Sequence, residues 1–227
     1  MKTKWAVWLP LILVGCTMIP GTDPTMNQNL SRSAETLKLP APRRQGRMSL
    51  EEAIARRRSV REFTPELLTD HELSQLLWSA QGITDPAGYR AAPSAGALYP
   101  LEIYVAMPSG FYHYEVREHR LTRRSDRDLR SAIYRAALEQ EAVLQAPVDF
   151  VITAVYARTE RKYGEGRGPR YVHLEAGHAA QNMLLQAVAL GLGAVPIGAF
   201  HDGALQKALL LPADHMPLYV IPVGHPR

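Results

Sequence analysis

Cysteine is all but missing. The chain has one, Cys16, which excludes an internal disulfide and any cysteine-based metal cluster. Long apolar runs are missing too: no stretch reaches the roughly 18 residues of a membrane-spanning helix. Excess charge is small. The net charge is +4, and Lys2 and Lys4 supply part of it from the extreme N-terminus. What remains is no basic stripe of the kind a duplex binder needs, so nucleic acid is not expected as a partner. Several catalytic signatures are also absent. No G-x-S-x-G elbow and no phosphate-binding Walker sequence occurs. The glycines of "GLGAVPIG", Gly191, Gly193 and Gly198, have the wrong spacing for a dinucleotide fingerprint and close a helix where that motif opens one. His173, Glu175 and His178 in "HLEAGH" miss the i, i+4 histidine spacing of a zinc helix, so no metal is expected.

What is there divides into an address and a domain. The chain has 227 residues and is 46% hydrophobic, enough for one globular domain with a substantial core plus a tail. Lys2 and Lys4 precede an apolar stretch from Trp5 to Val14, the layout of a signal peptide. Leu13-Val14-Gly15-Cys16 then resembles a bacterial lipobox. That resemblance implies cleavage after residue 15 and acylation of Cys16, and hence an exported protein anchored by lipid at the bacterial cell envelope, touching the membrane through that anchor only. Residues 16–47, rich in Pro, Thr, Asn, Ser and Arg, read as a flexible tether, and the domain is expected over 48–227.

Within the domain, Ser49 and Glu52 predict a capped helix running to about Ser59, with Leu50, Ala53, Ile54 and Arg57 on one face. Thr69 and Glu72 predict a second, with Leu73, Leu76, Leu77 and Ala80 as its stripe. A long Gly/Pro/Ala/Ser loop spans Gln81 to Pro100, and loops of that length are usually functional or disordered. Strands are expected at "LEIYVAM", in a hairpin turning near Glu118-His119, at "VDFVITAVY" and at "LYVIPVG". Helices are expected over Asp128 to Gln145, from Arg170 to an end at Gly191 or Gly193 with Val172, Ala176, Ala179, Ala180, Met183, Leu184, Ala187 and Val188 on one face, and near Gly203 to Leu210. Helices mixed with a few hairpin-linked strands make an α+β fold.

Two clusters could carry chemistry. "ARRRSVREF" places Arg56, Arg57 and Arg58 on successive helical positions, about 200° of arc, so they cannot share one partner. One or two of them with Ser59 could clamp a phosphate, which favours forked guanidinium donors and a hydroxyl. They could equally be a solvated, dipole-favoured helix C-terminus. Lys162 and Tyr163 stand side by side in the Gly-rich "ERKYGEGRGPRY", either as exposed loop residues or as an acid/base pair.

Four stretches in order, "RRRSVREF", "APSAGALYPLEIYV", "KYGEGRGPRYVHLEAGHAAQNMLLQA" and "GLGAVPIGAF" with the terminal "PVGHPR", resemble the nitroreductase superfamily of flavoproteins, and most of all its SagB-type dehydrogenase branch. The resemblance implies a mostly antiparallel sheet flanked by helices and an intertwined homodimer holding FMN between subunits. It implies that Arg57, Arg58 and Ser59 hold the FMN phosphate, with Arg227 nearby. Arg61 would sit at the N1/O2 edge of the ring. Pro93, Ser94, Ala95 and Gly96 would reach the ring from the partner subunit, and Pro196, Ile197 and Gly198 would line it. Gly96 stands where many nitroreductases have Asn. Lys162 and Tyr163 match the pair that serves in proton removal when this branch oxidises azolines in peptides. The implied substrate is a small molecule or a peptide, and the redox partner oxygen or NAD(P)H. Alternatives are an NAD(P)H-dependent reductase of nitroaromatics or quinones and a non-catalytic flavin-binding envelope lipoprotein.

Overall fold

A computed structural model describes residues 36–227; the signal segment, Cys16 and most of the tether lie outside them. One sheet of seven strands organises the domain, in the order β1-β4-β3-β2-β5-β7-β6, every neighbouring pair antiparallel. The strands are β1 (Thr36–Lys38), β2 (Leu101–Met107), β3 (Gly110–Glu115), β4 (Arg120–Ser125), β5 (Val148–Ala154), β6 (Gly193–Ala194) and β7 (Met216–Gly224). The helices are α1 (Leu50–Arg56), α2 (Asp70–Gln81), α3 (Arg130–Ala136), α4 (Glu141–Gln145), α5 (Tyr156–Tyr163), α6 (Gly168–Ala189) and α7 (Asp202–Ala208). Among the described residues no helix is long and apolar enough to cross a membrane.

The period of the strands sorts the core into two layers, because successive side chains of a strand leave opposite faces. Leu101, Ile103 and Val105 of β2, with Val148, Phe150 and Ile152 of β5, pack beneath α2 and α6. Tyr104, Ala106 and Val151, from the intervening positions, pack with Ile133, Val143 and Leu205 of α3, α4 and α7. The two central strands are therefore apolar on both faces, and the helices cover both. Of the two polar residues in β5, Thr153 donates to the Glu102 carbonyl at 3.3 Å, whereas Asp149 finds no such partner among the described residues. Asp149 is fully buried, neither of its carboxyl oxygens has a hydrogen-bond partner among the described residues, and burial pushes its carboxyl far above the usual carboxylate range.

Local signals set the helix starts. Ser49 Oγ accepts the Glu52 N–H at 3.1 Å, and Thr69 with Glu72 forms a complete capping box on α2. The box on α1 stays half-made because Glu52 instead pairs with Arg56, one turn on, at 2.6 Å. Only Ala53 of the expected α1 face reaches the core. Leu50 and Ile54 are 62% and 55% exposed.

Four expectations change. The domain begins before Met48: β1 pairs with β4, Leu39 is buried, and the Arg43 N–H donates to Gln75 Oε1 at 2.8 Å, so residues 36–47 belong to the fold and not to a tether. The helix expected over Asp128 to Gln145 is two, since Leu138 and Glu139 adopt left-handed backbone, which no α-helix carries. Lys162 and Tyr163 stand on the last turn of α5, where a loop was expected; Gly164 at φ +73° ends that helix. The helix expected to end near Ser59 stops at Arg56.

Candidate functional site

The segment after α1 lies along the β6 edge of the sheet. Ser59 bridges Ala194 in parallel, and the Val60 N–H donates to the Ala194 carbonyl at 3.0 Å. Gly193 makes this approach feasible, because a methyl group there would stand 2.6 Å from the Val60 side chain. On the other side, Phe63 bridges Pro226 and the Arg227 N–H donates to the Glu62 carbonyl at 3.2 Å. Three stretches far apart in sequence are thus brought together: Arg57–Arg61, the strand leading into Pro196–Gly198, and the C-terminal Arg227.

Their side chains differ in what they do. Arg56 is engaged with Glu52. Arg58 folds back, its Nη1 donating to the Ala55 and Arg57 carbonyls at 3.1 and 2.7 Å, so it caps its own helix. Arg57 is half-buried, and Ser59, Arg61 and Arg227 are exposed. Among the described residues, no carboxylate pairs with Arg57, Arg61 or Arg227. Three guanidiniums and a hydroxyl left with unspent donors suit a phosphate.

Ile197 is buried and exchanges backbone hydrogen bonds with Val220 at 2.8 and 2.9 Å. Pro196 is half-buried beside it, and Gly198 opens on a cavity of about 220 Å³ bordered by His173, Phe200, Asp202 and Tyr219. Tyr156 Oη and His173 Nε2 are 2.6 Å apart.

The second group forms around the loop after α2. Ser94 Oγ accepts the Tyr99 N–H at 2.9 Å, and residues 95–97 make one 3-10 turn with Gly96 at φ +63°. Gly96 has a second reason to be glycine. A methyl group there would stand 2.9 Å from both Lys162 Nζ and Tyr163 Oη. The structure therefore brings Pro93–Gly96 onto Lys162 and Tyr163, and Lys162 Nζ lies 5.6 Å from the Tyr163 ring centre. Tyr163 is steadied by an edge-on contact with Tyr171 at 4.8 Å. An amine and a phenol at one glycine, exposed and half-buried respectively, can exchange a proton with something placed on that loop.

Helix α6 connects the two groups. His173 and Ala176 border the cavity at Gly198, and Glu175, between them in sequence, faces Ser94. Glu175 is 2% exposed. Burial pushes its carboxyl up to about 7, against the lowering influence of Ser94, Arg90 and Gln81. Sequence reasoning weighed Glu175 only against a metal. Its signal was an acid one residue from Ala176 on the apolar stripe.

The match to one known family is broad. The model of the nitroreductase family matches residues 54–225. The chain belongs to the nitroreductase family. A Methanocaldococcus jannaschii relative, MJ1384, is 44% identical over 183 residues, 78% of this chain and 91% of its own. The trifolitoxin-processing protein TfxB of Rhizobium leguminosarum bv. trifolii is 33% identical over 116 residues, 45% of this chain and 30% of its own. A nitroreductase-family crystal structure from Ralstonia eutropha JMP134 superposes with a TM-score of 0.78 at 32% identity, covering 86% of this chain and 91% of that one. The antiparallel sheet flanked by helices is thus the nitroreductase fold, and the protein is a nitroreductase-family oxidoreductase.

Proposed function

We propose that this nitroreductase-family protein binds FMN and carries out SagB-type dehydrogenation of a small molecule or peptide. The observation that carries this reading is the contact of Gly96 with Lys162 Nζ and Tyr163 Oη, an acid/base pair set against a loop that the family uses at its flavin. The residues present fit the cofactor: Arg57, Ser59, Arg61 and Arg227 offer unspent donors to a phosphate and to an electron-rich ring edge. When bound, FMN supplies the two-electron acceptor for the substrate's hydride. The Lys162 amine takes the accompanying proton, and the Tyr163 hydroxyl orients or relays it. Ile197, locked to Val220, keeps Pro196 and Gly198 in place as one wall of the site. Oxygen or NAD(P)+ would be the final electron acceptor in this reading. TfxB, a trifolitoxin-processing protein by name, supports a processing reaction.

The protein works as a homodimer. Leu50 and Ile54 on α1, each more than half exposed, are an apolar pair that a second copy would cover. It is exported and held at the envelope through acylated Cys16, which Cys16→Ser tests by release from membranes.

The test is direct. The purified full chain should show or take up FMN; no bound flavin and no uptake would sink the proposal. Lys162→Ala should keep the flavin and lose about 10²–10⁴ of dehydrogenation rate. A second reading, an NAD(P)H-dependent reductase of nitroaromatics or quinones, is favoured by the nitroreductase name of the 44% identical relative. Rapid anaerobic bleaching of the flavin by NAD(P)H would select it.

A further inference from the structure

A buried carboxylic acid needs a reason. Glu175 lies under the Pro93–Gly96 loop, and its Oε1 has no hydrogen-bond partner among the described residues. Beside it, Gln81 Nε2 is also buried without one, while Gln81 Oε1 is held by Arg90 Nη1 at 2.9 Å. The Arg90 guanidinium in turn lies 4.4 Å from the Tyr99 ring centre, and its backbone N–H donates to Tyr99 Oη at 3.1 Å. Glu175, Gln81, Arg90, Ser94 and Tyr99 therefore make one cluster beneath the loop.

We propose that Glu175 is a positioning residue: it grips the loop from below through Ser94 and so sets how Gly96 meets Lys162 and Tyr163. The donor arithmetic supports the grip. Ser94 Oγ already accepts the Tyr99 N–H, which leaves its own hydroxyl proton to donate. An ionised Glu175 accepts that proton strongly and draws the free Gln81 amide as well. A protonated Glu175 accepts it weakly and competes as a donor. The loop is thus held tightly in one protonation state and loosely in the other. The group sits where the change matters, with its pKa of about 7. Arg90 is the charged group that faces it; Glu102 on β2 and Arg158 on α5 act on Arg90 in turn. This inference rests on the loop being part of the site, and its consequence is that proton transfer at Lys162 and Tyr163 is coupled to an acid they do not touch.

The test reads the loop without the cofactor. Amide hydrogen exchange at Tyr99, corrected for intrinsic rate, is followed in the full chain at about pH 6 and about pH 8, on either side of that value. Protection should rise roughly threefold to tenfold with pH in the wild type, the size of one gained hydrogen bond. Glu175→Gln, close in shape but unable to ionise, should abolish the rise. Ser94→Ala, which keeps the buried acid but removes the grip, should abolish it as well and is informative even if Glu175→Gln folds poorly. An equal pH response in wild type and Ser94→Ala overturns the proposal, as does no response in the wild type. FMN titration of the same samples by fluorescence quenching separates this from the functional reading. A pH-dependent loop in a protein that takes up no FMN keeps the grip and rejects the cofactor. FMN binding with a pH-silent loop does the reverse.

Discussion

Two groups of cations in this molecule behave in opposite ways. Around Glu102 every charge is answered. His113 Nε2 lies 2.7 Å from one carboxyl oxygen, and Arg158 donates to the other and, at 3.0 Å, to the Tyr99 carbonyl. Burial works against the Glu102 carboxylate, but His113 and Arg158 overcome it and hold the group down at about 2. Along the β6 edge, by contrast, Arg57, Arg61 and Arg227 have no carboxylate partner among the described residues. The first group is satisfied within the chain and stabilises it, pinning β2, α5 and the Tyr99 end of the loop. The second leaves its donors for something else. Charge density alone does not distinguish a structural network from a binding site; the answered and unanswered partners do.

Removing Glu102 should break this comparison most visibly. Glu102→Gln leaves Arg158 and His113 without their acceptor and should cost about 2–3 kcal/mol, less than a fully buried pair because Arg158 is partly exposed. Urea unfolding measures it. The sign with pH follows from the lowered carboxyl. Its contribution is complete above the unfolded value of 4.5 and is lost as pH falls through about 2. Wild-type stability should therefore fall across that window, and the Gln variant should show a flatter acid limb. Equal limbs would mean the network does not stabilise the fold.

Gly96→Ala comes next. It puts a side chain at φ +63° and forces the ends of Lys162 and Tyr163 to move, so it should cost about 1 kcal/mol of stability and at least about tenfold in turnover. Unchanged turnover would detach the pair from the loop. Arg57→Ala should leave stability within about 0.5 kcal/mol yet weaken FMN retention about tenfold to a hundredfold, the worth of a charge-assisted hydrogen bond. The smallest effect belongs to Arg56→Ala, which removes one exposed ion pair and should change stability by about 0.5 kcal/mol or less and FMN retention not at all. If Arg56 and Arg57 prove interchangeable, the division of the arginine run is wrong.

Much of this was legible in the sequence because its causes are local. The caps at Ser49 and Thr69 act over three residues, the β-branched content of β5 reports burial on both faces, and the stripe of α6 runs through Met183 and Ala187 as its spacing predicts. What stayed hidden depends on partners distant in the chain. The three residues of β1 are ordered by pairing with β4, and nothing in Thr36–Lys38 alone announces a strand. Helix α5 is short and polar along most of its length, so its order comes from packing on α6 and from Arg158 reaching Glu102. The break at Leu138 and Glu139 lies in a stretch of good helix formers, where propensity argues the other way.

By itself, then, the sequence determined an α+β domain, its helix starts, its buried strands, and a family resemblance carried by four ordered motifs. Those follow from backbone hydrogen bonding and side-chain periodicity, which act between near neighbours. Only the tertiary structure decided which arginines stay unpaired, that Arg227 returns to Glu62, that Gly96 rests on Lys162 and Tyr163, and that Glu175 lies sealed beneath the loop. Each of these depends on whether a polar group meets a partner once water is removed, and that is set by what the fold brings next to it.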